Sequence, residues 1–201
     1  MPDYDTLCTN LEKRGFAVTR FATKEAACDY LCQAIHGKTV GAGGSQTLSE
    51  LGLLERLTEE NTVYSHALPG HDRETDIALA AGAQVYLSSL NGVAETGELI
   101  NIDGRSNRVS ATLHGHEAVY FVVGRNKIAP DFQQALFRAR NIAGPKNAQR
   151  LKRKTPCAVR ADRCYDCKSP ERICAAMTIY WRRPSRTPEM EIVIVNQELG
   201  F

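Results

Sequence analysis

The chain has 201 residues, of which 43% are hydrophobic and 24% charged, with a formal net charge of +2. That length supports one sizeable domain, and the composition is that of an ordinary globular protein rather than a disordered or fibrous one. No apolar run approaches the roughly 18 residues of a membrane span, and the opening Met-Pro-Asp-Tyr-Asp lacks the basic and apolar regions of a secretory signal. The sequence therefore predicts a cytoplasmic protein whose seven cysteines are reduced thiols. Residues 145 to 186 hold 12 Lys or Arg against 3 Asp or Glu, so the rest of the chain is net acidic. A basic segment of this kind suits an anionic substrate, an acidic protein or nucleic acid, and it also occurs as a plain solvated surface.

Elements alternate along the chain. Leu7, Cys8 and Leu11 give Tyr4 to Arg14 an apolar helical face, ended by Gly15. Phe16 to Phe21 reads as a strand. Thr23 caps a second helix in which Ala27, Tyr30, Leu31, Ala34 and Ile35 keep helical spacing. Thr39-Val40 begins a short strand that enters a glycine-rich turn, followed by a helix carrying Leu48, Leu51 and Leu54. Thr62 to Ser65 is a strand and Arg73 to Ala81 a helix. Val85-Tyr86-Leu87 is a buried strand. Ala118 to Val123 is continuously apolar, as a central parallel strand covered on both faces would be. A helix over Pro130 to Asn141 is expected to break at Ala143-Gly144-Pro145 before a short polar helix. Met177 to Trp181 and Glu191 to Val195 read as the last strands. This alternation predicts a doubly wound, Rossmann-like α/β domain with a parallel sheet over residues 1–201, carrying a basic cysteine-rich segment over 145–182.

Three stretches carry candidate chemistry. The first is Gly41-Ala-Gly43-Gly44-Ser45-Gln46-Thr47, where glycines permit close backbone approach to an anion, although a tight strand-to-helix turn needs them too. It is neither a dinucleotide fingerprint nor a P-loop. The second is Ser88 to Arg108, far longer than the two to six residues that a plain connection needs. Glu95 to Glu98 is its hairpin turn and Leu99-Ile100 the return strand. Glu95, Glu98 and Asp103 are the candidate catalytic carboxylates, and each can instead cap backbone groups. Asn91, Asn101, Gly104 and Asn107 are candidate ligand contacts. The third is Gly124-Arg125-Asn126-Lys127, at the carboxyl end of the apolar strand, and its Arg125 and Lys127 with Arg108 would clamp a carboxylate or phosphate.

Cys157, Cys164, Cys167 and Cys174 follow the spacing C-x6-C-x2-C-x6-C within 18 residues. Four thiolates complete a tetrahedral zinc site or a [4Fe–4S] cluster, and both stay open, although zinc ribbons usually show two C-x2-C steps and the single one here leans towards the cluster. Ser169-Pro170 is expected to start a helix close to Cys167.

Gly41 to Gly52, Glu95 to Arg108, Val123 to Lys127, Ala143 to Cys174 and the ending Glu198-Leu199-Gly200-Phe201 together resemble the LUD (lactate-utilisation) domain family, in its short form. The resemblance implies the fold of ribose-phosphate isomerases and coenzyme A transferases, and a link to oxidation of lactate to pyruvate alongside iron–sulfur partner proteins. Asn91 to Gly104 is similar, more loosely, to the sugar-phosphate isomerases related to translation initiation factor 2B. Leu90 or Asn91 stands where those enzymes carry an Asp. Glu95 or Glu98 occupies a loop comparable to the one that holds the transferases' glutamate nucleophile. The leading expectation is a protein of 2-hydroxy-acid metabolism that binds a small anionic metabolite and a metal or iron–sulfur centre. Isomerase or transferase chemistry is the first alternative, and a regulatory module docking nucleic acid through the basic tail the less favoured second. Oligomeric state is left open.

Overall fold

The computed structural model describes residues 2–201. The chain begins with α1 (Tyr4–Lys13), capped by the Asp3 carboxylate, which accepts from the Thr6 N–H, and buries Leu7 and Leu11. Strand β1 (Ala17–Phe21) leads to α2 (Lys24–Ala34), capped by Thr23, and β2 (Thr39–Ala42) to α3 (Gln46–Leu51), capped by Ser45. Then come α4 (Leu53–Leu57), β3 (Thr62–Tyr64), α5 (Arg73–Ala80) and β4 (Val85–Ser88). The long loop folds as the expected hairpin, β5 (Gly92–Ala94) against β6 (Leu99–Asp103). It is followed by α6 (Asn107–Ala111), β7 (Ala118–Gly124) and the two-residue β8 (Ile128–Ala129). Helices α7 (Phe132–Arg138), α8 (Gly144–Arg150) and α9 (Pro156–Arg160) precede β9 (Ala176–Tyr180) and β10 (Glu189–Val195).

Six strands form one sheet in the order β1-β10-β7-β4-β2-β3, every pair parallel. The apolar run at Ala118–Gly124 is buried along its whole length in the middle of this sheet. Its side chains alternate between two cores. Tyr120 and Val122 face Leu31, Leu48 and Leu53, whereas Val119, Phe121 and Val123 face Leu7, Leu11 and Tyr180. A residue spacing of two sends neighbours to opposite faces, so one strand serves both layers. A second sheet, β8-β5-β6-β9, covers part of the latter face. The strand predicted at Met177–Trp181 therefore joins the hairpin, with Asp103 opposite Ala176, and does not enter the main sheet.

Two local expectations are corrected. The chain does not break at Gly144-Pro145 but stays helical from Phe132 to Arg150, through a π-helical turn at Ala139–Ala143. The proline ring lacks an N–H and crowds the carbonyl four residues back, and the wider turn just ahead of it accommodates both. Residues 163–175 hold no helix after Ser169-Pro170, only a turn at Pro170-Glu171. Among the described residues no helix is long and apolar enough to cross a membrane.

Phe121 is fully buried and stacks edge-on against Tyr180, joining the two sheets. Phe121→Ala is expected to lower unfolding stability by about 3–5 kcal/mol, read from urea denaturation. Val159→Ala, at a side chain 72% exposed, should shift it by no more than about 0.5 kcal/mol.

Candidate functional site

The carboxyl ends of β2, β4 and β7 open on one side of the sheet, where ligands of such folds collect. Gly43-Gly44-Ser45 leaves β2, Ser89-Leu90-Asn91 leaves β4, and a 3-10 turn over Arg125–Lys127 leaves β7. With the end of β6 and the face of α8 they enclose a cleft of about 510 Å³ and a recess of about 50 Å³ beside it. Gly44, Ser45, Gln46, Asp103, Gly104, Asn107 and Arg108 line the cleft, so the glycine-rich turn and the later half of the Ser88–Arg108 stretch do share one pocket. Asn91, Thr47 and Lys127 line the recess.

Lys127 is the feature that ordinary packing does not explain. It is only 3% exposed. Its Nζ donates to Thr47 Oγ1 at 2.7 Å and to Ser89 Oγ at 2.8 Å, and no carboxylate pairs with it among the described residues. Burial, with Arg138 and Arg108 nearby, pulls its pKa down to about 7. A strongly shifted group beside a cleft marks a functional site more often than chance. The surroundings add positive charge. Arg108 reaches the site because residue 43 is glycine: a Cβ there would stand 2.3 Å from Arg108 Cγ. Arg150 lies exposed at the mouth of the cleft, and partial desolvation with Arg108 and Arg73 nearby lowers its pKa. Arg105 and Arg153 complete the basic rim, with the neutral amide of Asn147 beside them.

The three candidate carboxylates are otherwise engaged. Glu98 pairs with Arg14 and accepts from Thr96, and Glu95 Oε1 accepts the Asp3 N–H at 3.0 Å. Both thus sit at the hairpin turn against the N-terminal helix, and the structure does not bring them to the cleft. Asp103 does line it, but its oxygens accept the N–H groups of Arg105 (3.2 Å), Arg108 (3.0 Å) and Val109 (3.4 Å), which caps α6. Several other candidates support the site from outside it. Asn101 is fully buried between Ser89 and Arg108. Gly41 faces Ala80, where a Cβ would meet the Ala80 carbonyl at 2.7 Å. Arg125 points to a different surface with Glu198.

His66 is a cleft residue that spacing gave no reason to select. Its Nδ1 is buried without a hydrogen-bond partner, and burial with Arg73 lowers its pKa, which favours the neutral ring. Its Nε2 would stand 3.4 Å from a Cβ on Gly44. Arg150 and Asn147 were equally hidden, because the unbroken helix that aims them inward reads in sequence as two pieces.

All four clustered cysteines line a second cavity, of about 230 Å³. They are free thiols, and among the described residues no three Cys, His, Asp or Glu side chains stand close enough to grip one ion.

The sequence profile of the LUD domain family matches residues 4–195. The fold is shared with the crystal structure of a DUF162 family protein from Deinococcus radiodurans: TM-score 0.55, 10% identity, over 96% of this chain and 95% of that one. No curated protein matches the chain.

The buried amine leads to a pH prediction. Its native pKa of about 7 lies below the ordinary 10.5, so between those values the unfolded chain binds more protons and stability rises with pH. Lys127→Met should remove this rise and increase the thermal midpoint at pH 7, as measured by scanning calorimetry from pH 6 to pH 10.

Proposed function

Because the chain belongs to the LUD domain family, we propose that its cleft binds a small anionic carboxylate of lactate or related 2-hydroxy-acid metabolism. The observation that carries this reading is Lys127, buried with hydroxyl partners alone, beside Arg108 and Arg150. An anion in the recess would raise the amine's pKa and relieve the mutual repulsion of the guanidinium groups. Guanidinium groups also bind carboxylates in a bidentate fashion. In this reading Arg108 and Arg150 hold the carboxylate, Lys127 faces the oxygen on the adjacent carbon, and His66 exchanges a proton at the cleft. The basic tail fits the same purpose, since Arg150, Arg153 and Arg172 turn into the cleft. That disposition favours a small anion over nucleic acid. Transferase chemistry gains no support, because Glu95 and Glu98 are held at the hairpin turn.

The test is titration calorimetry with L-lactate, pyruvate and inorganic phosphate. Lactate or pyruvate should bind, and Lys127→Met and Arg150→Gln should each weaken binding about tenfold or more, as expected for loss of a charged hydrogen bond worth about 1.5–3 kcal/mol. Binding of phosphate with none of either organic acid would reject the carboxylate reading in favour of a phosphorylated ligand.

A further inference from the structure

We infer that the cavity ringed by Cys157, Cys164, Cys167 and Cys174 is the seat of a [4Fe–4S] cluster rather than of a zinc ion. The four thiols arrive from three separate pieces of chain. Cys157 lies in α9, with its sulfur 3.3 Å from Thr155 Oγ1. Cys164 and Cys167 sit on an extended loop, and Cys174 lies two residues before β9. They nevertheless face a common space of about 230 Å³. Tetrahedral zinc, with Zn–S bonds near 2.3 Å, draws its sulfurs to about 3.8 Å from one another and leaves no room between them. Here all four thiols line one void of about 230 Å³. A space of that size with four thiols on its wall suits a cubane that puts its own atoms there.

The backbone and its polar groups agree with a cluster. Ala161 and Asp166 take left-handed conformations, at φ 59° and 44°, which non-glycine residues adopt only at a cost. The second of these directs the Asp166 N–H at Cys164 Sγ, 3.4 Å away. Arg172 Nε stands 3.2 Å from Cys174 Sγ, and Arg140 Nη2 4.0 Å from Cys164 Sγ. Hydrogen bonds to sulfur and neighbouring cations stabilise a cluster held by four thiolates and set its potential. The remaining lining is largely apolar, with Leu136, Pro145 and Met177 among it, which limits water at the metal. The cavity also abuts the cleft. Ile102, Arg172 and Ile173 line both spaces, so a bound cluster would be one side chain away from a ligand in the cleft.

The inference does not depend on what the cleft binds, and its test leaves the cleft aside. Protein produced in iron-supplemented cells and purified anaerobically should be brown, with broad visible absorbance that bleaches on reduction. It should contain about four iron and four acid-labile sulfide per chain. Cys164→Ser and Cys174→Ser should lose most of that iron while the far-ultraviolet circular dichroism stays unchanged. Cys28→Ser, in α2 and away from the cavity, should keep it. Stoichiometric zinc without iron or sulfide, metal-free protein, or iron that survives both cavity substitutions would each overturn the inference. Because the wild-type analysis needs no variant, a variant that failed to fold would not rescue it.

Discussion

An ammonium group held 3% exposed, with two hydroxyls as its hydrogen-bond partners, constrains the whole carboxyl edge of the sheet. Burying a charge without a counter-charge is costly, so the structure around it must be stiff enough to prevent its escape. The partners of Lys127 are themselves fixed. Ser89 Oγ donates to the Val122 carbonyl at 2.6 Å, and Thr47 is held between Lys127 and the Leu199 carbonyl. The C-terminal residues close the other side, with the Gly200 N–H on Glu50 at 2.7 Å and Asn126 Nδ2 on the Gly200 carbonyl at 3.1 Å. Each contact runs between segments remote in sequence, so the amine position depends on the completed fold. Strain of this kind, maintained at one spot by cooperative packing elsewhere, is characteristic of sites that bind a ligand rather than of cores.

The sheet supplies the stiffness. The β7 strand is paired on both sides, by β10 and β4, and ends where the Arg125–Lys127 turn begins. The β5–β6 hairpin then sets the far wall. Its attachment to α7 is close: a Cβ at Gly92 would lie 2.5 Å from the Ala135 carbonyl, so only glycine permits the approach. Arg138, on the same helix, is buried and reaches back to the Asn126 and Asn91 carbonyls, tying turn, strand and helix together. Burial lowers its pKa to about 10. Two cationic side chains thus share a low-dielectric region, and Arg138 pulls the pKa of Lys127 down further.

Much of this architecture is legible in the sequence, because it follows from periodicity. The alternation of apolar strands and amphipathic helices foretells a parallel sheet, the uninterrupted run at Ala118–Val123 marks its centre, and Glu95 to Gly97 announces a hairpin. What escaped was non-local or turned on a detail of backbone geometry. Gly144-Pro145 has the chemistry of a helix break, and only the π turn before it keeps the helix whole. That continuity is what presents Asn147 and Arg150 to the cleft. His66 stands in an unremarkable loop and matters through the space it faces. Conversely, Glu95 and Glu98 look reactive in a list of residues, but Arg14, Thr96 and the Asp3 N–H take up their oxygens. Hydrogen-bond partners from distant segments are not written in local spacing.

The basic C-terminal segment shows why net charge alone identifies so little. Its cations point to different places. Arg150 and Arg153 face the cleft. Arg160 and Arg163 lie over the Tyr165 ring at 5.1 and 5.2 Å, where the electron-rich face offsets their charge. Arg140 and Arg172 approach the thiols, and Arg172 also pairs with Asp166 at 3.0 Å. A segment that served as a diffuse electrostatic patch would leave these side chains extended into solvent, where salt screens them. Here several are fixed by hydrogen bonds to sulfur, carbonyl oxygen or carboxylate. Fixed cations stabilise localised anions, whether thiolates on one side of the Ile102–Ile173 wall or a carboxylate on the other. Arg172 borders both spaces, so one guanidinium would answer to negative charge placed on either side of that wall.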